Sequence, residues 1–203
     1  MPVLHQMHVS GNCYKVRLVA RQTGVTIQLR DYGLHDGTTR QPDFLAKNPN
    51  GRVPLLELDD GTFLAESGAI LWYLAAGTPL VPTERRAFAD MLQWMFFEQY
   101  SHEPYVAVAR FWLRYAPAAQ LEQRRHLVPE WHAKGNAALG VMEAHLATHD
   151  WFAGGRYTIA DIALYAYSHC AAEGGFDLSR YPALGAWLAR VAAQPNHITL
   201  EAR

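Results

Sequence analysis

The sequence predicts an α/β domain of order βαβ-α-ββα followed by an all-α domain. Three observations carry this. Short apolar–polar alternations recur through the first third of the chain, as half-buried strands require. A composition break with two prolines and a glycine falls at Gly77–Pro82 (GTPLVP), the signature of a linker. From Thr83 onward the apolar residues recur only at helical spacing. The expected boundaries are 1–76 for the first domain, 77–83 for the linker and 84–203 for the helical domain.

Val3 to Val9 alternates and ends at Ser10-Gly11-Asn12, a strand and then a turn. Cys13 to Thr23 reads as a helix, with Val16, Leu18, Val19 and Ala20 apolar and Lys15, Arg17 and Arg21 polar; Gly24 is a good C-terminal stop. Val25 to Asp31 alternates again, so the two strands should be parallel with a right-handed crossover. Tyr32 to Gln41 is a polar loop and Pro42 to Lys47 a short helix. Val53 to Leu58, Asp59-Asp60-Gly61 and Thr62 to Leu64 form a hairpin, and a helix follows to about Ala76. In the second domain helices are expected at 84–115, 118–148, 159–170 and 182–193, the first two broken by Pro104 and Pro129. Thr158-Ile159-Ala160-Asp161 is a capping box, typically worth about 1 kcal/mol to its helix.

Composition excludes several classes. Half of the 203 residues are hydrophobic and 12% are aromatic, enough for a real core, and a net charge of -1 argues against a nucleic-acid surface. Two cysteines, Cys13 and Cys170, give no disulfide framework and suit a reducing compartment. The N-terminus lacks a basic segment followed by an apolar one, and no charge-poor stretch is long enough to span a bilayer. The expectation is a cytoplasmic protein without membrane association.

The chain is organised around Asn48–Ser67, NPNGRVPLLELDDGTFLAES. Its Val53-Pro54 bond, between a turn and a strand, is a candidate cis peptide, although spacing alone favours trans. Ser67, at a helix start, reads either as a simple N-cap or as a seat for a carboxylate beside exposed backbone N–H groups.

NPNGRVP at Asn48–Pro54, AES at Ala65–Ser67 and TIADI at Thr158–Ile162, in this order, resemble the cytosolic glutathione transferases over essentially the whole chain. The resemblance implies a thioredoxin-like first domain, glutathione as co-substrate, no metal and a homodimer. It makes Pro54 the family's cis-proline, with the Val53 backbone pairing with the cysteinyl part of glutathione. Glu66 and Ser67 would hold the γ-glutamyl end, and Arg52 and Gln41 would lie near the glycyl carboxylate. The implied reaction is attack of the glutathione thiolate on a small hydrophobic electrophile, as in detoxification. Disulfide reduction, isomerisation or dehalogenation on the same fold, and a non-catalytic binding module, are the alternatives.

The catalytic group of the family lies at the end of the first strand, where Ser10-Gly11-Asn12-Cys13 stands here. This is similar to the Ser-type branch in bacteria, so Ser10 is expected to donate a hydrogen bond to the sulfur. Asn12 as donor, or Cys13 as a mixed-disulfide former, are the rival assignments. Trp94, Phe97, Tyr100, Tyr105, Arg110, Phe111 and Trp112 read mostly as inter-helix core, with Tyr105 and Trp112 as candidates for the electrophile pocket. His145 and His149 share a helix face, but no third ligand follows at metal-binding spacing.

Overall fold

The structure, a computed structural model, describes residues 1–202. It divides into two compact units: Met1–Val81 with the stretch from Pro195 onward, and Pro82–Gln194. Residues 195–202 thus belong with the first unit rather than with the helices that precede them.

In the first unit β1 (Val3–Gln6), α1 (Gly11–Thr23) and β2 (Gln28–Asp31) form the βαβ start. α2 (Pro42–Leu45), β3 (Leu55–Glu57), β4 (Phe63–Ala65) and α3 (Ser67–Ala75) complete it. The sheet order is β2-β1-β3-β4. β1 is parallel to β2 and antiparallel to β3, which is antiparallel to β4. Leu4 pairs with both Leu29 and Leu56, and Leu56 with Leu64, which places a leucine row across the sheet. α1 and α3 pack together, contributing buried Val16, Leu18, Val19, Ile70 and Leu71.

Helix α1 begins two residues earlier than its apolar spacing suggests. The Ser10 N–H bonds the Met7 carbonyl at 3.0 Å, turning the chain, and the Ser10 side chain caps the helix by accepting from the Cys13 N–H. The polar face expected for α1 is a further difference. Lys15 and Arg17 are 1% and 4% exposed, because α1 is covered by α3 and by the returning C-terminal stretch. Arg17 donates to the His8 and Leu200 carbonyls and to Gln6 Oε1, and the Tyr14 hydroxyl donates to the Ile198 carbonyl at 2.7 Å. Over its first turns α1 has no solvent side, so Lys15 and Arg17 are built into the core with partners, while Arg21 in the last turn is exposed as expected.

The second unit holds α4 (Arg85–Phe97), α5 (Glu103–Arg110), α6 (Ala118–Arg124), α7 (Val128–Leu146), α8 (Ile159–Ser168) and α9 (Pro182–Ala192). The break expected at Pro104 is a π-helical turn, Glu98–His102, just before it; a second π turn spans Phe111–Tyr115. Pro129 sits in the first turn of α7, after a 3-10 turn at Arg125–Leu127. Every residue of α8 is buried. Its capping box forms as expected, with the Thr158 N–H donating to Asp161 Oδ2 at 2.9 Å. Asp161 Oδ1 also accepts from Trp187 Nε1 at 3.0 Å, tying α9 to the start of α8. Burial pushes the Asp161 carboxyl up to about 6, against the pull of these donors.

Candidate active site

Three strand ends meet at one end of the sheet. The antiparallel register sets His5, near the end of β1, beside Leu55 at the start of β3, and Leu55 beside Ala65 at the end of β4. Ser10, Val53-Pro54 and Glu66-Ser67 lie just outside the sheet at that end. The βαβ-α-ββα order therefore gathers residues more than fifty positions apart.

The entry to β3 is fixed by Asn48. This buried side chain donates to the Arg52 carbonyl at 2.8 Å and accepts from the Asn50 N–H at 3.1 Å. Between them Gly51 has φ +63°, and a Cβ there would stand 2.6 Å from an Arg40 guanidinium nitrogen and 2.9 Å from the Thr39 carbonyl. Only glycine suits both constraints. The Val53–Pro54 bond that follows is cis. Arg52 and Gln41 are exposed, Val53 is half-buried, and the Arg40 guanidinium donates to the Asn50 carbonyl at 2.8 Å.

At the start of α3 the simple N-cap reading of Ser67 fails. Glu66 occupies the cap position, with no side-chain cap bond, and Ser67 is the first helical residue. The buried Ser67 hydroxyl points instead toward α1, donating to Asn12 Oδ1 at 3.3 Å. Lys15 Nζ donates to the same oxygen at 2.7 Å and lies 3.5 Å from Ser67 Oγ. The first intrahelical bond of α3 runs from the Ile70 N–H to the Glu66 carbonyl, so the N–H groups of Ser67, Gly68 and Ala69 stand ahead of it at the positive helix end. Glu66 is exposed and takes φ +68°, a conformation uncommon for a side-chain-bearing residue.

The three rivals at the β1–α1 junction are differently placed. Ser10 Oγ accepts from the Cys13 N–H at 3.3 Å, and its hydroxyl, which also faces the Cys13 sulfur, is the O–H donor at this junction. Asn12 has its carbonyl oxygen committed to Lys15 and Ser67. Cys13 is fully buried, its sulfur accepts from the Met7 N–H at 3.5 Å, and burial pushes its thiol up to about 11. A protonated, enclosed thiol is a poor nucleophile.

In the second unit, Tyr105 and Trp112 both face α7: Lys134 Nζ lies 5.1 Å from the Tyr105 ring centre, and Trp112 stacks on Trp131 at 6.3 Å. Tyr100 does not join the core expected for it and is 85% exposed, carried outward by the π turn. His145 and His149 stack at 4.3 Å, each within 3.1 Å of a backbone carbonyl. Among the described residues no group of three acidic, His or Cys side chains is placed to hold a metal, and no helix is long and apolar enough to cross a membrane. A cavity of about 530 Å³, lined by Arg17, Arg21, Ile27 and Ile198 among others, opens at the opposite end of α1 from Ser10. None of the candidate site residues lines it.

Two supporting residues escaped the sequence reading. Asn48 was hidden in a run of turn formers. Lys15 was assigned to a polar face, and the only signal against this was its position one turn after Ser10 on a helix between two strands.

A four-stranded mixed sheet with flanking helices, a cis-proline at the entry to its third strand and a following all-helical unit define a thioredoxin-like domain joined to a helical domain. Residues 3–76 match the family described as Glutathione S-transferase, N-terminal domain, and residues 88–195 match Glutathione S-transferase, C-terminal domain. The chain belongs to the glutathione S-transferase family. Among curated relatives it is 35% identical to Glutathione S-transferase D7 of Anopheles gambiae, over 92% of this chain and 84% of that one. It is 28% identical to the disulfide-bond oxidoreductase YfcG of Escherichia coli, over 91% and 87%. Among solved structures, a possible glutathione S-transferase from Rhodopseudomonas palustris superposes with a TM-score of 0.96 at 49% identity, over 100% of this chain and 91% of that one. A glutathione transferase homolog from Sulfitobacter, with bound glutathione, superposes with a TM-score of 0.79 at 25% identity, over 97% and 94%.

Proposed function

We propose that the protein is a cytoplasmic, homodimeric glutathione transferase that conjugates the glutathione thiolate to a small hydrophobic electrophile. The observation that carries the reading is the junction of the cis Val53–Pro54 edge with the Glu66–Ser67 helix start and the Ser10 hydroxyl. The tripeptide would lie extended along the Val53 backbone. Its γ-glutamyl carboxylate meets Ser67 and the N-terminus of α3, and its ammonium meets Glu66. Arg52 and Gln41, both exposed, are available to the glycyl carboxylate.

Ser10 supplies the chemistry as a hydrogen-bond donor. A free thiol titrates near ~8.5, so most glutathione is protonated at neutral pH. An O–H donated to the sulfur at the positive end of α1 favours the thiolate. Lowering the thiol by about two units corresponds to roughly 2.7 kcal/mol. The thiol proton leaves to solvent, and the sulfur lone pair forms the new carbon–sulfur bond as a leaving group departs with its electron pair or, in addition to a double bond, as the neighbouring carbon takes a proton from solvent. Tyr105 and Trp112 remain the candidates for the electrophile side. Exposed aromatic side chains, Trp72 and Tyr73 at 46% each, support a subunit contact on α3.

The resemblance to a disulfide-bond oxidoreductase keeps disulfide reduction as the second reading. It would run through Ser10 or Asn12, since the enclosure of Cys13 opposes a mixed disulfide there. Turnover of an aryl halide against turnover of a mixed disulfide by the same preparation separates the two. Conjugation predicts measurable aryl-halide turnover that falls on Ser10→Ala; disulfide turnover alone would reject it.

A further inference from the structure

Lys15 is 1% exposed. Enclosing an ammonium costs more than filling the same space with an apolar side chain, so its bonds should show what it is there to do. Its Nζ donates to Asn12 Oδ1 at 2.7 Å and lies 3.5 Å from Ser67 Oγ. Ser67 in turn donates its one hydroxyl proton to Asn12 Oδ1 at 3.3 Å. Asn12 and Lys15 stand in the first turns of α1, and Ser67 begins α3. This triangle therefore joins two helix N-termini, both ends of positive potential, and puts a full positive charge between them. Asn12 Oδ1 and Ser67 Oγ are both neutral oxygens.

Ser67 has only one proton to give. When a ligand carboxylate takes it, Asn12 Oδ1 loses that donor, and the 2.7 Å bond from Lys15 keeps this oxygen satisfied. The same bond holds the Asn12 carbonyl turned inward and so directs its NH₂ group the other way. The charge stays fixed directly behind the hydroxyl.

We infer that Lys15 is a positioning and specificity residue: its buried ammonium holds the Asn12–Ser67 pair and makes the site select thiol peptides that carry a carboxylate at the γ-glutamyl end. This rests on the glutathione reading given above. Lys15 acts through Ser67 and Asn12 and does not touch the reacting sulfur.

The test compares glutathione with the analogue whose γ-glutamyl residue is replaced by γ-aminobutyryl, which lacks that carboxylate. Calorimetric Kd values are measured for the unsubstituted protein, Lys15→Met and Lys15→Arg, each checked for fold by circular dichroism. Lys15→Met should weaken glutathione roughly ten- to hundredfold, the range for one lost charge-assisted bond, while leaving the analogue within about twofold. Lys15→Arg should restore most of the preference. Should Lys15→Met not fold, the unsubstituted Lys15 reports directly. The chain has three lysines, Lys15, Lys47 and Lys134, so Lys47→Arg with Lys134→Arg in lysine-labelled protein leaves a single lysine side-chain nitrogen-15 signal. That signal should move on saturation with glutathione and stay in place with the analogue.

An unchanged preference in a folded Lys15→Met, or a Lys15 signal unmoved by saturating glutathione, overturns the inference and leaves the tripeptide site standing. A protein that binds neither ligand removes the tripeptide site and this inference with it.

Discussion

Ser10 serves the fold and the proposed chemistry with one oxygen: it accepts from the Cys13 N–H to start α1, and under the proposal it donates its proton to the glutathione sulfur. Ser10→Ala should therefore raise the pKa of bound glutathione by about 1–2 units and lower kcat/KM at neutral pH roughly ten- to hundredfold. It should also cost about 1 kcal/mol of stability through the lost cap. A thiolate absorbance titration and denaturant unfolding read the two effects separately. Cys13→Ser, at an enclosed position, should leave kcat/KM within about twofold. Asp161 carries a different test. Its carboxyl stands at about 6 in the fold against an ordinary 3.8. Between these values the folded chain holds a proton that the unfolded chain releases, so the contribution is complete below about pH 4 and is lost as pH rises past about 6. Relative to Asp161→Asn, the unsubstituted protein should gain on the order of 2 kcal/mol when urea unfolding is moved from pH 7 to pH 4. An unchanged difference would contradict the buried-carboxyl account.

The start of α3 separates binding from folding at the scale of an element. Glu66 holds φ +68° where glycine would be unstrained, so Glu66→Gly should fold at least as stably, by up to about 1 kcal/mol. Glutathione affinity should nevertheless fall about tenfold with the loss of the ammonium partner. A variant that loses both stability and affinity would show Glu66 to be structural. Elements of this kind were partly legible in the sequence. The capping box at Thr158–Asp161, Gly24 closing α1 and the breaks near Pro104 and Pro129 are local rules of three or four residues, and each appears where those rules place it. The inward turn of Ser67 was not legible, because its partners Asn12 and Lys15 lie more than fifty positions away and no local pattern records them. The same holds for α1. Its alternation of apolar with basic residues resembles a half-exposed helix until α3 and the last residues of the chain cover the other side.

For the molecule as a whole, the order of strands matters more than any one side chain. One end of the sheet collects the ends of β1 and β4 and the start of β3; NPNGRVP and AES lie at those junctions, while TIADI caps α8 in the second unit, so the family resemblance rests on local motifs of both units. The return of the chain from Pro195 to the first unit had no signature, since it depends on the carbonyls of Ile198 and Leu200 rather than on side-chain type. As a homodimer the protein should sediment at about twice its 22.8 kDa, and a single-subunit mass at micromolar concentration would contradict that part of the proposal. The most direct measurement is a crystal structure with glutathione. The account predicts the peptide extended along the Val53 backbone, its γ-glutamyl carboxylate within hydrogen-bond distance of Ser67 Oγ and its sulfur within reach of Ser10 Oγ. Glutathione seated anywhere else, or absent from that end of the sheet at saturating concentration, would contradict it.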